Sequence, residues 1–291
     1  MALFSIPFVF DFILLFLYHC YLTISEREAA CLGNWKNFIL DLDGVLYLLN
    51  QPIPGGREFV DFLRTHRYGV AFLSNNTFLT REEYVEKLGK MGIKAFPEEI
   101  LTSAFAVAKY LGETRPGARV YVIGEDGLKK ELKNCGLRPV LRGKADFVVV
   151  GMDRKFNFRK MSQALRYIQD GAEFIGTNPD PTYPTDNGLL PGAGAIIAGI
   201  ETCSGKKARV FGKPSPLILD LLLEARGFRK EETVIVGDRL DTDIALGACC
   251  GVFSVLVLTG VTSRQDVEIS QVKPDLVVEN LFELRRVLAG E

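Results

Sequence analysis

Asp41 and Asp43 stand one residue apart in Phe38-Ile39-Leu40-Asp41-Leu42-Asp43-Gly44-Val45-Leu46-Tyr47. The apolar run before them reads as a strand buried on both faces of a parallel sheet. In open α/β sheets, ligands sit just beyond the carboxyl ends of such strands. Side chains at i and i+2 of an extended segment lean to the same side. Carboxylates that close repel each other unless a cation lies between them or one holds a proton. The pair therefore offers a metal site, or a nucleophile beside a general acid. Gly44 lets the chain turn away tightly. A calcium loop does not fit, because its fifth position would be Val45, its twelfth Pro52, and a strand precedes it.

Three more segments place reactive groups at predicted strand ends. Val70–Leu73 stops at Ser74-Asn75-Asn76-Thr77, whose hydroxyl and backbone N–H donors can hold an anion. Arg209-Val210-Phe211 reads as a strand leading to Gly212-Lys213-Pro214. Ser215 then suits an N-cap and Pro216 a first helical residue. Lys213 thus lies just ahead of a helix N-terminus, where ammonium and helix dipole both favour an anion. Thr233–Val236 runs into Gly237-Asp238-Arg239-Leu240-Asp241-Thr242-Asp243, an acidic cluster that suits a hard cation such as Mg²⁺.

The elements that must position these groups alternate. Helical stripes follow at Phe59, Val60 and Leu63, behind a capping box from Thr80 to Glu83, and over Phe105–Leu111. Strands are predicted at Val120–Ile123, Phe147–Val150, Phe174–Gly176, Ser254–Leu258 and Asp275–Val278, with helices at Leu128–Asn134 and Phe158–Gln169. This order predicts an α/β protein with a Rossmann-like, doubly wound parallel sheet. Arg115-Pro116-Gly117 and Ser204-Gly205-Lys206-Lys207 read as linkers around an inserted α/β unit. The expected division is a leader over 1–31, a core over 32–113 and 208–291, and an insertion over 114–207. Gly192-Ala193-Gly194 lacks the third glycine of a dinucleotide fingerprint and is expected to follow no strand.

Composition narrows the function. A net charge of −1 gives no nucleic-acid surface. Two histidines, His19 and His66, are too few for a multi-histidine metal site. Six cysteines without a C-x-x-C spacing argue against zinc and point to buried free thiols in a reducing compartment. Ala2 to Ile24 is almost wholly apolar and long enough to cross a bilayer at about 1.5 Å per residue. Against spanning stand Pro7, the absence of a preceding lysine or arginine, and Asp11, which costs about 2.5–3.5 kcal/mol at a helix centre. Three readings stay open: a membrane anchor over 2–24, a start set too early, and a signal peptide. Without an anchor the chain is expected in the cytoplasm.

Taken in order, the four strand ends resemble the four motifs of the haloacid dehalogenase superfamily of phosphohydrolases, over about residues 36–290. Asp41-Leu-Asp43-Gly-Val-Leu-Tyr47 looks like the first motif, Ser74-Asn75-Asn76 the second, Gly212-Lys213-Pro214 the third and Gly237–Asp243 the fourth. The insertion looks like the class II α/β cap. Its Asn178-Pro-Asp180 and Pro191-Gly-Ala-Gly194 are similar to the group of 4-nitrophenylphosphatases and phosphoglycolate and pyridoxal-phosphate phosphatases. Tyr183 stands where pyridoxal-phosphate phosphatases carry histidine, which argues against that substrate.

The resemblance implies a small phosphate monoester as substrate, Asp41 as nucleophile and Asp43 as general acid and base. It implies Mg²⁺ held by Asp41, Asp238 and the backbone carbonyl of Asp43, with Asp243 behind Lys213 or the metal. Ser74, Asn75, Asn76 and Lys213 would bind the phosphate. Asn178, Asp180 and Tyr183 would face the leaving group from the cap, through which a homodimer is a candidate assembly. A phosphotransferase using an acceptor alcohol, and a non-catalytic membrane-tethered binding protein, are the alternatives.

Overall fold

The computed structural model describes residues 34–185 and 188–291. The expected anchor over residues 2–24 lies outside the described residues. Among the described residues no helix is long and apolar enough to cross a membrane.

In chain order the strands are β1 (Asn37–Asp41), β2 (Tyr47–Leu48), β3 (Gln51–Pro52), β4 (Gly69–Ser74) and β5 (Ile100–Thr102). Then come β6 (Arg119–Ile123), β7 (Arg138–Pro139), β8 (Phe147–Val150), β9 (Glu173–Gly176), β10 (Thr182–Thr185) and β11 (Gly188–Pro191). Last are β12 (Arg209–Val210), β13 (Thr233–Gly237), β14 (Phe253–Val257) and β15 (Leu276–Val278).

Six strands form one sheet in the order β15-β14-β13-β1-β4-β5, parallel throughout. β1 alternates across it. Phe38 and Leu40 join a core with Phe59, Leu63 and Leu284, while Ile39 joins the opposite one with Leu219, Leu222 and Leu246. That period of two, with both faces buried, is why the strand reads as a continuous apolar run. The chain steps from β1 outward through β4 to β5, then restarts at β13 on the other side of β1. Strand order reverses there, and a crevice opens beyond the carboxyl ends of β4, β1 and β13.

A second parallel sheet has the order β12-β9-β8-β6-β7. One face packs Val120 and Val149 on the helix Ser103–Thr114 through Ala104, Val107 and Leu111. The other packs Val148 and Val150 on the helices Phe158–Gln169 and Ala193–Ser204.

Several expectations change. Arg209–Val210 does not join the first sheet; it pairs with β9 at the edge of the second. Phe211, fully buried beside Val120 and Val149, anchors the segment there. Lys213 is therefore delivered by a crossing segment rather than by a core strand. The short strand β5 and the hairpin β10–β11 were not expected; two to four residues carry too little pattern to read. Gly192 does follow a strand, β11, and opens the helix Ala193–Ser204. β11 belongs to an antiparallel hairpin, so no βαβ unit surrounds the glycines. The described cysteines are free but not buried: Cys203 and Cys249 are exposed, Cys135 and Cys250 half-buried.

Candidate active site

The crevice is lined by the strand ends. Asp41 closes β1, Ser74 closes β4, and Asp238 follows β13. Lys213 reaches them from the crossing segment. Its Nζ donates to Asp41 Oδ1 at 2.6 Å, to Asp243 Oδ1 at 2.6 Å and to the Leu73 carbonyl at 3.3 Å. All three ammonium donors are thus engaged. A phosphoryl oxygen would have to replace one of these acceptors, and the long contact to Leu73 is the weakest.

Asp238 Oδ2 accepts from the Val261 N–H at 2.8 Å, whereas its Oδ1 is buried without a hydrogen-bond partner. Oxygens of Asp41, Asp238 and Asp243 all lie within 4.8 Å of one another. Three buried carboxylates therefore share one buried ammonium. Excess buried charge is costly unless something compensates it. An all-oxygen donor set with one orphaned atom fits a hard divalent cation. The third acid of that cluster is Asp243 rather than Asp41's neighbour in the motif, Asp43. Asp241 is turned away, exposed and paired with Arg239 through contacts of 3.0 and 2.7 Å.

The protonation states follow from burial. Burial pushes Asp41 well above the usual carboxylate range, against the pull of Lys213. Burial, then the charge of Asp243, pushes Asp238 up to about 7. Burial alone would disfavour the Lys213 ammonium, yet Asp243 and Asp41 outweigh it and hold the group above the ordinary lysine range. Burial also raises Asp43, the direction a general acid needs.

Asp43 has its own support. The Tyr47 hydroxyl donates to Asp43 Oδ2 at 3.2 Å. Lys87 Nζ stands 3.7 Å from the centre of the Tyr47 ring and donates to the Leu49 carbonyl at 2.9 Å. Gly44 has φ +84°, and a Cβ there would collide with the Asp238 carboxylate. Only glycine lets the turn pass this close. Thr259 Oγ1 donates to the Gly44 carbonyl at 2.6 Å and fixes the turn. Tyr47 sits in the motif that was singled out. Lys87 and Thr259 carry no sequence signal, because each comes from a distant element.

A cavity of about 330 Å³ opens above these groups, lined by Asp41, Asp43, Ser74, Asn76, Lys213 and Asp238. Leu48, Phe78, Tyr183 and Val261 give it an apolar wall, with the Phe78 and Tyr183 rings 5.6 Å apart. Ser74 Oγ accepts from the Asn76 N–H at 3.2 Å, and Asn76 Oδ1 accepts from the Phe78 N–H at 2.8 Å. The Asn75 side chain corrects an expectation. Its Nδ2 donates to Asp180 and to the Lys213 carbonyl, and its Oδ1 accepts from the Lys213 N–H. That amide is committed to protein partners, so it has no donor left for phosphate. Asn178 and Asp180 line the cavity, but Asn178 Nδ2 donates to the Asn75 carbonyl, Asn178 Oδ1 accepts from the Asp180 N–H, and the Asp180 carboxylate accepts from Asn75 Nδ2.

An acidic centre at the switch point of a doubly wound sheet, beneath a second α/β layer, fits an α/β enzyme whose site pairs a cation with an anionic substrate. Residues 38–138 match the family described as haloacid dehalogenase-like hydrolase, and residues 210–284 a second description of the same kind. An acid sugar phosphatase of Staphylococcus aureus is 39% identical over 249 residues, covering 86% of this chain and 96% of the relative. The p-nitrophenyl phosphatase from Archaeoglobus fulgidus superposes with a TM-score of 0.85 at 37% identity, over 88% of this chain and 100% of that one. A glycerol phosphate phosphatase from Mycobacterium tuberculosis, solved in complex with magnesium, gives 0.79 at 34% identity, over 87% of this chain and 77% of that one. The chain belongs to the haloacid dehalogenase-like hydrolases, and within them to the phosphatases that carry an inserted α/β cap.

Proposed function

We propose that the chain is a Mg²⁺-dependent phosphatase of small phosphate monoesters that works through an aspartyl-phosphate on Asp41. The observation that carries this reading is the excess of buried carboxylate over ammonium around Lys213, with Asp238 Oδ1 left bare beside it. Asp41, Asp238 and the backbone carbonyl of Asp43 would hold the ion. When bound, it neutralises the acidic cluster and charge on the transferring phosphoryl group, so that one anion can approach another.

The chain's own groups do the rest. The Asp41 carboxylate attacks phosphorus, and the bond to the leaving oxygen breaks as that oxygen takes a proton from Asp43. Asp43, now a base, removes a proton from water. The water oxygen bonds to phosphorus, the bond to Asp41 breaks, and inorganic phosphate leaves. Tyr47 donates to Asp43 Oδ2 and leaves Oδ1 to carry the proton. Lys213 and Ser74, with backbone N–H groups of the Ser74–Asn76 turn, bind phosphoryl oxygens. The α/β layer around the second sheet forms the cap, which takes in β12 and Phe211 beyond the expected 114–207; it screens the site from bulk water and admits the leaving group along Tyr183 and Phe78. The free thiols accord with a reducing, cytoplasmic compartment.

Phosphate release from 4-nitrophenyl phosphate by the full chain tests the reading. Release is expected with Mg²⁺ and is expected to stop with excess chelator, returning when Mg²⁺ is restored. Undiminished release in chelator would end the metal assignment, and folded, metal-replete protein inert on a panel of small phosphate esters would end the phosphatase assignment.

A further inference from the structure

The turn after β9 is tied to the catalytic lysine by the Asn75 amide. Asn75 Nδ2 donates to Asp180 Oδ1 and Oδ2 at 3.1 and 3.2 Å and to the Lys213 carbonyl at 3.0 Å. Asn75 Oδ1 accepts from the Lys213 N–H at 2.8 Å. The amide thus grips the Lys213 residue at both its N–H and its carbonyl, while Asp180 holds the amide from the cap side. The Asn75 carbonyl is itself held, by Asn178 Nδ2 at 2.8 Å and Ser103 Oγ at 2.7 Å. The Gly212 N–H donates to the Thr177 carbonyl at 2.6 Å.

The packing leaves no slack in this knot. A Cβ on Gly212 would stand 2.6 Å from Asn75 Oδ1 and 2.7 Å from Asn178 Cβ, and one on Gly194 would collide with the Pro179 carbonyl. Both Asn-Pro-Asp and Pro-Gly-Ala-Gly thereby have a packing role in this knot as well as a place on the cavity wall. Asn75 and Asn178 are buried, so the bonds to the Lys213 backbone, to Asn178 and to Ser103 are made away from water, where leaving one unmade is costly, while the bonds to half-buried Asp180 stand at the cavity edge.

We propose that Asp180 is a positioning residue for Lys213, acting through the Asn75 amide, so that the cap sets where the lysine Nζ stands over the phosphoryl site. This rests on the phosphatase reading above, in which Lys213 binds the phosphoryl group. It separates Asp180 from Tyr183: the first bears on the phosphoryl step, the second on the leaving group.

Orthovanadate presents phosphoryl-like oxygens and has no leaving group, so it separates the two roles. In Asp180→Ala, inhibition by vanadate is expected to weaken about tenfold, with kcat falling by a similar factor on 4-nitrophenyl phosphate and on glycerol phosphate. Asn75→Ala should do the same, and the double variant should add little, as for groups acting in series. Asp180→Asn, whose Oδ1 still accepts from Asn75, should stay near wild type. Should Asp180→Ala fold poorly, Asp180→Ser, too short to reach Asn75, is read in the same way.

Vanadate inhibition within twofold of wild type, with KM changes that differ between the two esters, would make Asp180 a leaving-group contact and overturn the proposal. A wild type inert on both esters removes the phosphatase reading instead. The vanadate-induced rise in melting temperature, compared between wild type and Asp180→Ala, then still reads the Lys213 site.

Discussion

Asp41 and Asp146 are both carboxylates beside cations, and they are driven in opposite directions. Asp146 accepts from Arg119 Nε and Nη2 at 3.0 and 2.9 Å and from the Arg119 backbone N–H at 2.8 Å, with Arg115 3.1 Å away. The hydrogen bonds from Arg119 hold it well below the usual carboxylate range. Two guanidinium groups serve one acid near the surface, so the carboxylate is more than compensated and the spare positive charge faces water. Around Lys213 one ammonium serves Asp41 and Asp243 with Asp238 alongside, all buried, and Asp41 is pushed up instead. The compensated cluster pins β6 to the segment before β8. The uncompensated one keeps charge available for a cation and a phosphate. Several acids displaced together by burial and crowding at the floor of one cavity point to a working site.

That contrast can be broken in four places. The largest effect is expected from Asp41→Asn, which should cut turnover of 4-nitrophenyl phosphate by about 10³-fold or more while the fold persists. Near-normal turnover in a folded variant would remove Asp41 as nucleophile. Lys213→Met should come next. Stripping the ammonium from its buried acids should destabilise the metal-free protein by about 3–5 kcal/mol, read from urea unfolding.

Asp146→Asn should lower the melting temperature by only a few degrees at neutral pH, since exposed arginines give modest ion pairs. Because the folded Asp146 value lies below the ordinary 3.8, its stabilisation is present above that pH and fades as pH falls toward the folded value. The gap between wild type and variant should therefore narrow below about pH 4, and a constant gap would mean the pairing is not electrostatic.

The smallest effect belongs to Glu131, buried where the helix Asp126–Asn134 meets the helix Arg81–Lys90. Its Oε1 accepts from the Arg81 N–H at 2.9 Å, and its Oε2 has no partner. Burial raises it above 4.5, so the folded state binds the proton more tightly than the unfolded chain. Wild-type stability should fall relative to Glu131→Gln as pH rises from 4.5 through the folded value. Parallel pH curves for the two proteins would show that Glu131 ionises in the fold as freely as in water.

Much of the fold was legible because buried parallel strands advertise themselves. Phe38–Leu40, Val70–Leu73, Phe147–Val150 and Val234–Val236 are apolar throughout, and each lies in a strand. The capping box at Thr80 forms, with Glu83 N–H on Thr80 Oγ1 at 3.3 Å. The hairpin β10–β11 was not legible, since residues exposed or half-buried on a cap rim keep no strict alternation. At the site, Asp41, Asp43, Ser74, Lys213, Asp238 and Asp243 were legible by type and place. Asn178 and Asp180 line the cavity as expected, whereas the Asn75 side chain turns to protein partners instead of the phosphate site. An amide next to a phosphate-binding serine looks the same in sequence whether it donates to phosphate or to a neighbouring chain segment.

The sequence by itself determined which strands would be buried and which acids would end them, because apolar periodicity and strand-end chemistry are local properties. Only the tertiary structure decided the partners. It took Arg209–Val210 out of the first sheet, set Lys213 Nζ 2.6 Å from both Asp41 and Asp243, and closed Asn75 onto Asp180. Those contacts join residues far apart in the chain. Their identity depends on which segment wins a buried position, a competition that packing and charge settle across the whole molecule.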